Sequence, residues 1–109
     1  EEPERASLYW RHVLHHEGDA PRVMPSWLCD EIVKRHLDSP SMLCLLSLQD
    51  WLSTSDSLAS PDVESERINI PANPHHYWRY RMHLTLERLA ADREFVKNVR
   101  NMIAQAGRI

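Results

Sequence analysis

Apolar residues in the first third of the chain recur at the spacing of an amphipathic helix. Over about residues 5–16 they lie at i, i+3, i+4, i+7 and i+8 and so share one helix face: Ala6, Tyr9, Trp10, Val13 and Leu14. A second helix is predicted over residues 26–37, where Ser26 is a suitable N-cap. Two helices are therefore expected in this part of the chain.

The last quarter of the chain shows the same helical pattern. Residues 86–91 predict a short helix capped by Thr85, and residues 92–106 predict a longer helix capped by Asp92. Gly107 suits the end of that helix, because glycine readily adopts the left-handed conformation found there. The chain is thus predicted to end in two consecutive helices.

Between these regions, residues 42–48 form an apolar run that does not alternate with polar residues. Such a run predicts a strand buried on both faces, as in parallel sheets. The predicted fold class is mostly α with a single short buried β-strand, followed by a long irregular loop over residues 53–84. Because a lone strand cannot pair its own backbone groups, the element order is best interpreted as the C-terminal helix–strand–helix part of a (β/α)8 TIM barrel.

Composition narrows the possible partners. The 109 residues suffice for one unit, residues 1–109, and the 42% of hydrophobic residues is too many for a disordered segment. The formal net charge is −3 and the basic residues are scattered, which argues against nucleic acid. The sequence has no signal peptide and no apolar run of the about 20 residues that span a bilayer, so we expect a cytoplasmic protein without a membrane partner.

Few side chains offer a metal, cofactor or redox site. His12, His15 and His16 have the helical spacing that can bring two imidazoles to one metal, but a solvated helix end explains them better. Cys29 and Cys44 lie in apolar segments and are expected to be free thiols. With only two glycines a phosphate-binding loop is excluded, so we expect neither a metal nor a cofactor.

Two features leave alternatives open. Asp50 follows the predicted strand, where a barrel enzyme places functional side chains, but it could equally cap the next helical turn. The rings and cations of residues 75–81 could stack on bases, bind a carbohydrate, or hold a loop against the protein through ion pairs and cation–π contacts.

Particular strings resemble one family. They are Leu-Gln-Asp-Trp-Leu at the end of residues 39–52, Arg-Ile-Asn-Ile-Pro-Ala-Asn-Pro at 67–74, and Tyr-Trp-Arg-Tyr-Arg at 77–81. They resemble the C-terminal end of the 4-α-glucanotransferases of glycoside hydrolase family 77, the amylomaltases or disproportionating enzymes. The branch that includes the plant cytosolic enzyme is the most similar, and residues 9–14 and 27–29 resemble it too.

This resemblance implies an enzyme that transfers α-1,4-glucan segments between maltooligosaccharides or glycogen-like acceptors by a retaining double displacement. Such a reaction uses a carboxylate nucleophile, a glutamate acid/base and a further aspartate. No residue of this chain matches any of these positions, so no catalytic residue is predicted here. We expect the chain to be inactive alone and to depend on other parts of the enzyme.

The resemblance also suggests roles for individual residues. Asn69 matches an asparagine that borders the family's glucan-binding cleft, although it could instead be a turn residue before Pro71. Gln49 and Asp50 match a pair that organises the floor of that cleft. The family signature that we interpret as fixing the long loop is matched by three residues: Trp78, Arg79 and Arg81.

The predicted partner is thus an α-1,4-glucan, bound through the full-length enzyme. A strand with open edges seeks other strands, so we expect the isolated chain to self-associate. The alternative is a helical module that binds another protein through its tryptophan-rich surface and has no catalytic role.

Overall fold

The computed structural model describes residues 2–109, and all regular structure in that range is helical. Five α-helices and one short 3₁₀ helix follow one another along the chain: α1 (Glu2–His12), α2 (Ser26–Leu37), α3 (Leu48–Leu52), the 3₁₀ helix (Glu64–Glu66), α4 (Leu86–Ala91) and α5 (Arg93–Gln105). The segments between them are irregular, and the longest runs from the 3₁₀ helix to α4.

The first of two apolar clusters lies between α2 and α5. Val33 and Leu37 of α2 are buried against Met102 of α5. Partly buried side chains surround these three: Cys44, Leu46, Trp51, Val99, Ile103 and Ala106. The apolar faces of α2 and α5 therefore meet each other, as expected of amphipathic helices that share a core.

The second cluster holds the long irregular segment against the helices. Leu52, at the end of α3, is buried with Leu58 and with Phe95 of α5. Trp51 and Val99 contact this cluster as well as the first one, so the two clusters are continuous. The core therefore follows α5, which contributes to both halves.

The ends of α4 and α5 are formed by the residues that the sequence predicts for them. Thr85 accepts a hydrogen bond from the Arg88 amide at 3.1 Å, and Asp92 accepts one from the Phe95 amide at 2.9 Å. Gly107 has φ +70°, and its amide and that of the next residue donate to carbonyls of the last turn of α5. This is the pattern of a Schellman motif, in which a left-handed glycine ends the helix.

Helix α1 ends earlier than predicted. The expected range of 5–16 is wrong at its C-terminal end, because the helix stops at His12 and His15 takes a left-handed conformation with φ +58°. Histidine tolerates that conformation better than most residues. At α2 the N-cap position belongs to Pro25, and Ser26 is the first helical residue, so the predicted serine cap does not form.

The predicted strand over residues 42–48 is wrong. Residues 43–47 have no regular structure, and Leu48 already begins α3. No backbone–backbone hydrogen bond involves residues 42–46 within the described chain, because no neighbouring strand is present to supply partners. Burial is one-sided rather than two-sided: Cys44 and Leu46 pack on the first cluster, whereas Leu45 is 91% exposed.

Arg108 connects the end of the chain to the end of α2. Its Nε donates to the Leu37 carbonyl at 2.6 Å, and its Nη2 donates to the carbonyls of Ser39 at 3.0 Å and Ser41 at 3.1 Å. The last carbonyls of a helix lack partners within the helix, and a basic side chain is well suited to them. Arg108 therefore fixes the start of the apolar segment that follows α2.

The long predicted loop, residues 53–84, is irregular apart from the 3₁₀ helix. It is nevertheless attached to the core. Leu58 is completely buried, and its carbonyl contacts the His83 ring nitrogen Nε2 at 2.8 Å. The other His83 nitrogen lies 3.8 Å from the Glu66 carboxylate. These contacts bring the two ends of the loop together.

Candidate functional site

Asn69 and Trp78 meet on the surface of the long loop. The indole Nε1 of Trp78 donates a hydrogen bond to Oδ1 of Asn69 at 3.1 Å. Both residues are exposed, and the Trp78 side chain is the larger apolar surface of the two. The contact joins two residues that the sequence assigns to different roles, one to substrate binding and one to loop structure.

The backbone around this pair is held by its own hydrogen bonds. The ring nitrogen Nε2 of His76 lies 3.1 Å from the Ile68 carbonyl, and the Asn73 amide donates to the Ile70 carbonyl at 3.0 Å. The His76 contact connects the strings 67–74 and 75–81, and the Asn73 bond lies within the first of them. The loop therefore folds back on itself and brings Trp78 to Asn69 across nine positions of sequence.

Asn73, and not Asn69, is the asparagine that shapes the turn. The Asn73 side chain accepts a hydrogen bond from the His75 amide at 3.0 Å, which is the geometry of an Asx turn. Asn69 makes no such local bond, since its oxygen accepts from Trp78. The turn role that the sequence left open for Asn69 is thus occupied by Asn73.

Gln49 lies on α3 and reaches the residues just before Asn69. Its Nε2 donates to the Glu66 carbonyl at 2.7 Å, which attaches α3 to the 3₁₀ helix. No hydrogen bond joins Gln49 to Asn69 among residues 2–109. The structure brings Gln49 to the base of the loop rather than into contact with the asparagine.

Asp50 caps the helix in which it lies. Its Oδ2 accepts hydrogen bonds from the Ser47 amide at 3.0 Å and the Ser47 hydroxyl at 2.7 Å, while Ser47 Oγ accepts from the Asp50 amide at 3.2 Å. This reciprocal capping box explains why α3 begins at Leu48. A serine followed three residues later by an acidic residue is a sequence signal for a helix start, and it identifies the element that the strand prediction missed.

The arginines of the loop signature are less engaged than Trp78. The Arg79 guanidinium lies 5.0 Å from the centre of the Tyr77 ring, a cation–π contact. Arg81 is exposed, and neither a hydrogen bond nor an ion pair involves its side chain within residues 2–109. The hydroxyl of Tyr80 is buried and has no hydrogen-bond partner in the same range.

Cys29 faces the start of α3 from α2. Burial raises the pKa of its thiol, the negative charge of Asp50 raises that pKa further, and a backbone hydrogen bond partly opposes both effects. A thiolate is the reactive form of cysteine, so this environment favours an inert thiol. Cys29 and Cys44 are both free, as the sequence predicts.

An aromatic cluster near α1 was not predicted from the sequence. The rings of Trp10 and His16 stack with centroids 4.1 Å apart, and Trp27 of α2 meets both rings edge-on. His16 Nε2 contacts both carboxylate oxygens of Glu31, at 3.1 and 2.9 Å. Helical periodicity could not reveal this cluster, because His16 lies beyond the end of α1.

The three histidines at 12, 15 and 16 do not lie together on one helix. His12 is the last residue of α1, His15 lies outside the helix, and His16 is paired with Glu31. Within residues 2–109 no group of three or more His, Cys, Asp or Glu side chains could hold a metal ion. In this range no helix is long and apolar enough to cross a membrane.

Comparison with known proteins identifies the family of this chain. The profile of the 4-alpha-glucanotransferase family, glycoside hydrolase family 77, matches residues 1–86. The match covers both the Gln49–Asp50 pair and the loop that carries Asn69 and Trp78. The chain belongs to the 4-alpha-glucanotransferase family.

A relative in rice extends the likeness to nearly the whole chain. The 4-alpha-glucanotransferase DPE2 of Oryza sativa subsp. japonica is 34% identical over 104 residues, which is 95% of this chain and 11% of the rice protein. The chain therefore spans about a tenth of the length of that relative. No solved structure matches the chain significantly.

Proposed function

We propose that this chain acts as a segment of a cytoplasmic 4-α-glucanotransferase. The enzyme would transfer α-1,4-glucan segments between maltooligosaccharides or glycogen-like acceptors with retention of configuration. The observation that carries this proposal is the family match over residues 1–86 of a chain that spans only 11% of the rice relative. The catalytic carboxylates would lie in other parts of the enzyme, and the segment would be inactive alone.

Asn69 is the residue of this segment that we expect to contact the glucan. Its side chain is exposed, its Oδ1 accepts from Trp78, and its Nδ2 makes no hydrogen bond within residues 2–109. An amide nitrogen with two free hydrogens can donate to sugar hydroxyl oxygens. Asn69 is thus able to bind a polar ligand without giving up the bond that it already makes.

Gln49 and Asp50 would support the floor of the same cleft. Both Ser47 bonds to Asp50 use Oδ2, which leaves Oδ1 as the oxygen that could accept from a sugar hydroxyl. Gln49 holds α3 to the Glu66 carbonyl, three residues before Asn69. Its role would be to position the loop rather than to contact the glucan through Nε2.

The test is the effect of Asn69→Ala on the full-length enzyme. We expect KM for maltotriose disproportionation to rise by about threefold to tenfold, the usual effect of one lost neutral hydrogen bond. Asn73→Ala is the matched control, because it removes an asparagine of the same loop that is used in a turn. Unchanged glucan affinity in Asn69→Ala would argue against the site and favour a helical interaction module.

The isolated chain would self-associate through the exposed apolar side chains of residues 42–45. Met42, Leu43 and Leu45 are 93%, 75% and 91% exposed. A groove between α3 and α5 adds further apolar atoms, and its lining includes Leu48, Trp51, Val96, Val99, Ile103 and Ile109. Large exposed apolar surfaces mark contact sites or a tendency to aggregate.

Size-exclusion chromatography with light scattering measures this tendency. We expect masses above that of one chain, and we expect Leu43→Ser combined with Leu45→Ser to move the distribution toward the monomer. A monomeric unsubstituted chain at high concentration would contradict self-association. It would leave the glucan-binding role of Asn69 unaffected, since that role is measured in the full-length enzyme.

A further inference from the structure

The hydrogen bond between Trp78 and Asn69 determines which way the asparagine carboxamide faces. An indole N–H can only donate, so the atom that meets it at 3.1 Å must be the carbonyl oxygen Oδ1. The amide nitrogen Nδ2 then lies on the opposite branch of the carboxamide. Its two hydrogens have no acceptor within residues 2–109, and the residue is exposed.

We propose that Trp78 is a positioning residue for glucan binding, which holds the Asn69 carboxamide with its Nδ2 hydrogens directed at a sugar hydroxyl. This inference rests on the proposed function, in which Asn69 contacts the glucan. It adds a specific chemistry: Asn69 acts as a donor, and the ligand group facing it is a hydroxyl oxygen that accepts. Trp78 itself does not need to contact the sugar.

The surrounding loop supports a positioning role. A free asparagine side chain rotates about two bonds, and ordering it upon binding reduces affinity. Here the ordering is done in advance by the indole, whose own position is set by the backbone bonds of the loop. The His76 ring contacts the Ile68 carbonyl at 3.1 Å, so the residues next to Asn69 and Trp78 are already held together.

Asn73 shows what this loop does with an asparagine that serves only the backbone. Its Oδ1 accepts from the His75 amide, two residues away, and fixes a turn. Asn69 instead receives a side-chain donor from nine residues away and keeps Nδ2 free. Both asparagines leave Nδ2 without a hydrogen bond within residues 2–109, but only the Asn69 carboxamide is oriented by another side chain and is not used in a turn.

Four variants of the full-length enzyme test the proposal: Trp78→Phe, Asn69→Ala, the double variant, and Asn69→Asp. Trp78→Phe keeps a ring and removes the N–H, so we expect KM for maltotriose to rise by about twofold to tenfold with kcat unchanged. Asn69→Asp keeps the acceptor for the indole and removes the Nδ2 donors, so its KM should rise as much as that of Asn69→Ala. Trp27→Phe, an exposed tryptophan on α2, is the matched control and should leave KM unchanged.

The double variant separates positioning from direct contact. If Trp78 acts only through Asn69, the double variant should have the KM of Asn69→Ala alone. A further loss in the double variant would mean that Trp78 stacks on the glucan itself, which would overturn the positioning role. An effect of Asn69→Ala without any effect of Trp78→Phe would also overturn it, while the proposed function would stand.

Nuclear magnetic resonance of the 109-residue chain gives a readout that does not depend on activity. Trp78→Phe should shift the side-chain amide signals of Asn69, and Asn69→Asp should leave the Trp78 indole N–H signal hydrogen-bonded. Unshifted Asn69 signals in Trp78→Phe would overturn the proposal. Failure of the proposed function would look different, because Asn69→Ala would then leave KM unchanged while these signals still responded.

Discussion

Residues 42–46 and residues 53–60 are both irregular, but the segment that is richer in apolar residues is the more exposed of the two. The first segment, Met-Leu-Cys-Leu-Leu, has three side chains that are at least 75% exposed. The second, Ser-Thr-Ser-Asp-Ser-Leu-Ala-Ser, contains Leu58, which has no exposed surface at all. Apolar content alone therefore does not decide which segment enters the core.

The difference lies in the backbone. In residues 53–60 the amides of Ser53, Thr54, Ser55, Leu58 and Ala59 donate to nearby carbonyls, so the turn pairs its own polar groups as it buries Leu58. No backbone–backbone hydrogen bond involves residues 42–46 within the described chain. A segment that cannot pair its backbone cannot be buried at low free-energy cost, however apolar its side chains are.

The largest expected effect tests burial directly. Leu58→Ala removes a fully buried side chain from the cluster with Leu52 and Phe95, and it should lower the free energy of unfolding by about 2–5 kcal/mol. Leu45→Ala, in the exposed segment, should change it by less than about 0.5 kcal/mol. Urea unfolding measures both, and similar losses in the two variants would contradict the comparison.

The next effect concerns Arg108, which fixes the start of the exposed segment, residues 42–46. Arg108→Ala removes three hydrogen bonds to the carbonyls of Leu37, Ser39 and Ser41 and should lower stability by about 1–3 kcal/mol. Arg100→Ala is a suitable control, because Arg100 is an exposed arginine of α5 with no hydrogen bond or ion pair within residues 2–109. Equal thermal unfolding midpoints for the two variants would show that the Arg108 hydrogen bonds do not stabilise the fold.

The capping box at Ser47, which fixes the end of the same segment, should contribute less stability than Arg108. Ser47→Ala removes the hydroxyl of the capping box and should lower stability by about 1 kcal/mol, the usual effect of losing an N-cap. Ser57→Ala serves as its control in the buried segment, because the Ser57 hydroxyl contacts only that of Ser55. Should both changes leave the urea midpoint unaltered, the cap would not contribute to stability.

The smallest expected effect is electrostatic. The negative charge of Asp50 helps to raise the pKa of the Cys29 thiol, after the larger effect of burial. Asp50→Asn should therefore lower that pKa and raise the thiolate fraction at a given pH, while burial keeps the pKa above its ordinary value. The rate of iodoacetamide reaction against pH, measured in a Cys44→Ser background, reports the change; a curve displaced to higher pH would contradict it.

Elements with local signals could be predicted from the sequence. The expected helix at 26–37 coincides with α2, and Thr85, Asp92 and Gly107 take the capping positions assigned to them. These predictions were correct because a cap depends on neighbours within a few positions. The strand prediction failed because a strand depends on partners elsewhere, and no strand lies among residues 2–109 to provide them.

In the candidate site, too, the local feature could be predicted from the sequence and the long-range contact could not. The role of Asp50 as a cap was one of two interpretations drawn from the sequence, and Ser47 three positions earlier carries its signal. The contact between Asn69 and Trp78 depends on the path of an irregular loop, and no periodicity reports such a path. The resemblance could name both residues, but it could not show that one holds the other.

The bonds of Arg108 also imply an order of folding. They join positions separated by 67 to 71 residues, so they form only after α5 has docked beside α2. Closing so long a loop is entropically unfavourable, and contacts of this sequence separation tend to form late. The Leu37 carbonyl at the end of α2 should therefore stay hydrogen-bonded to water until α5 has docked, so the last turn of α2 is completed late in folding.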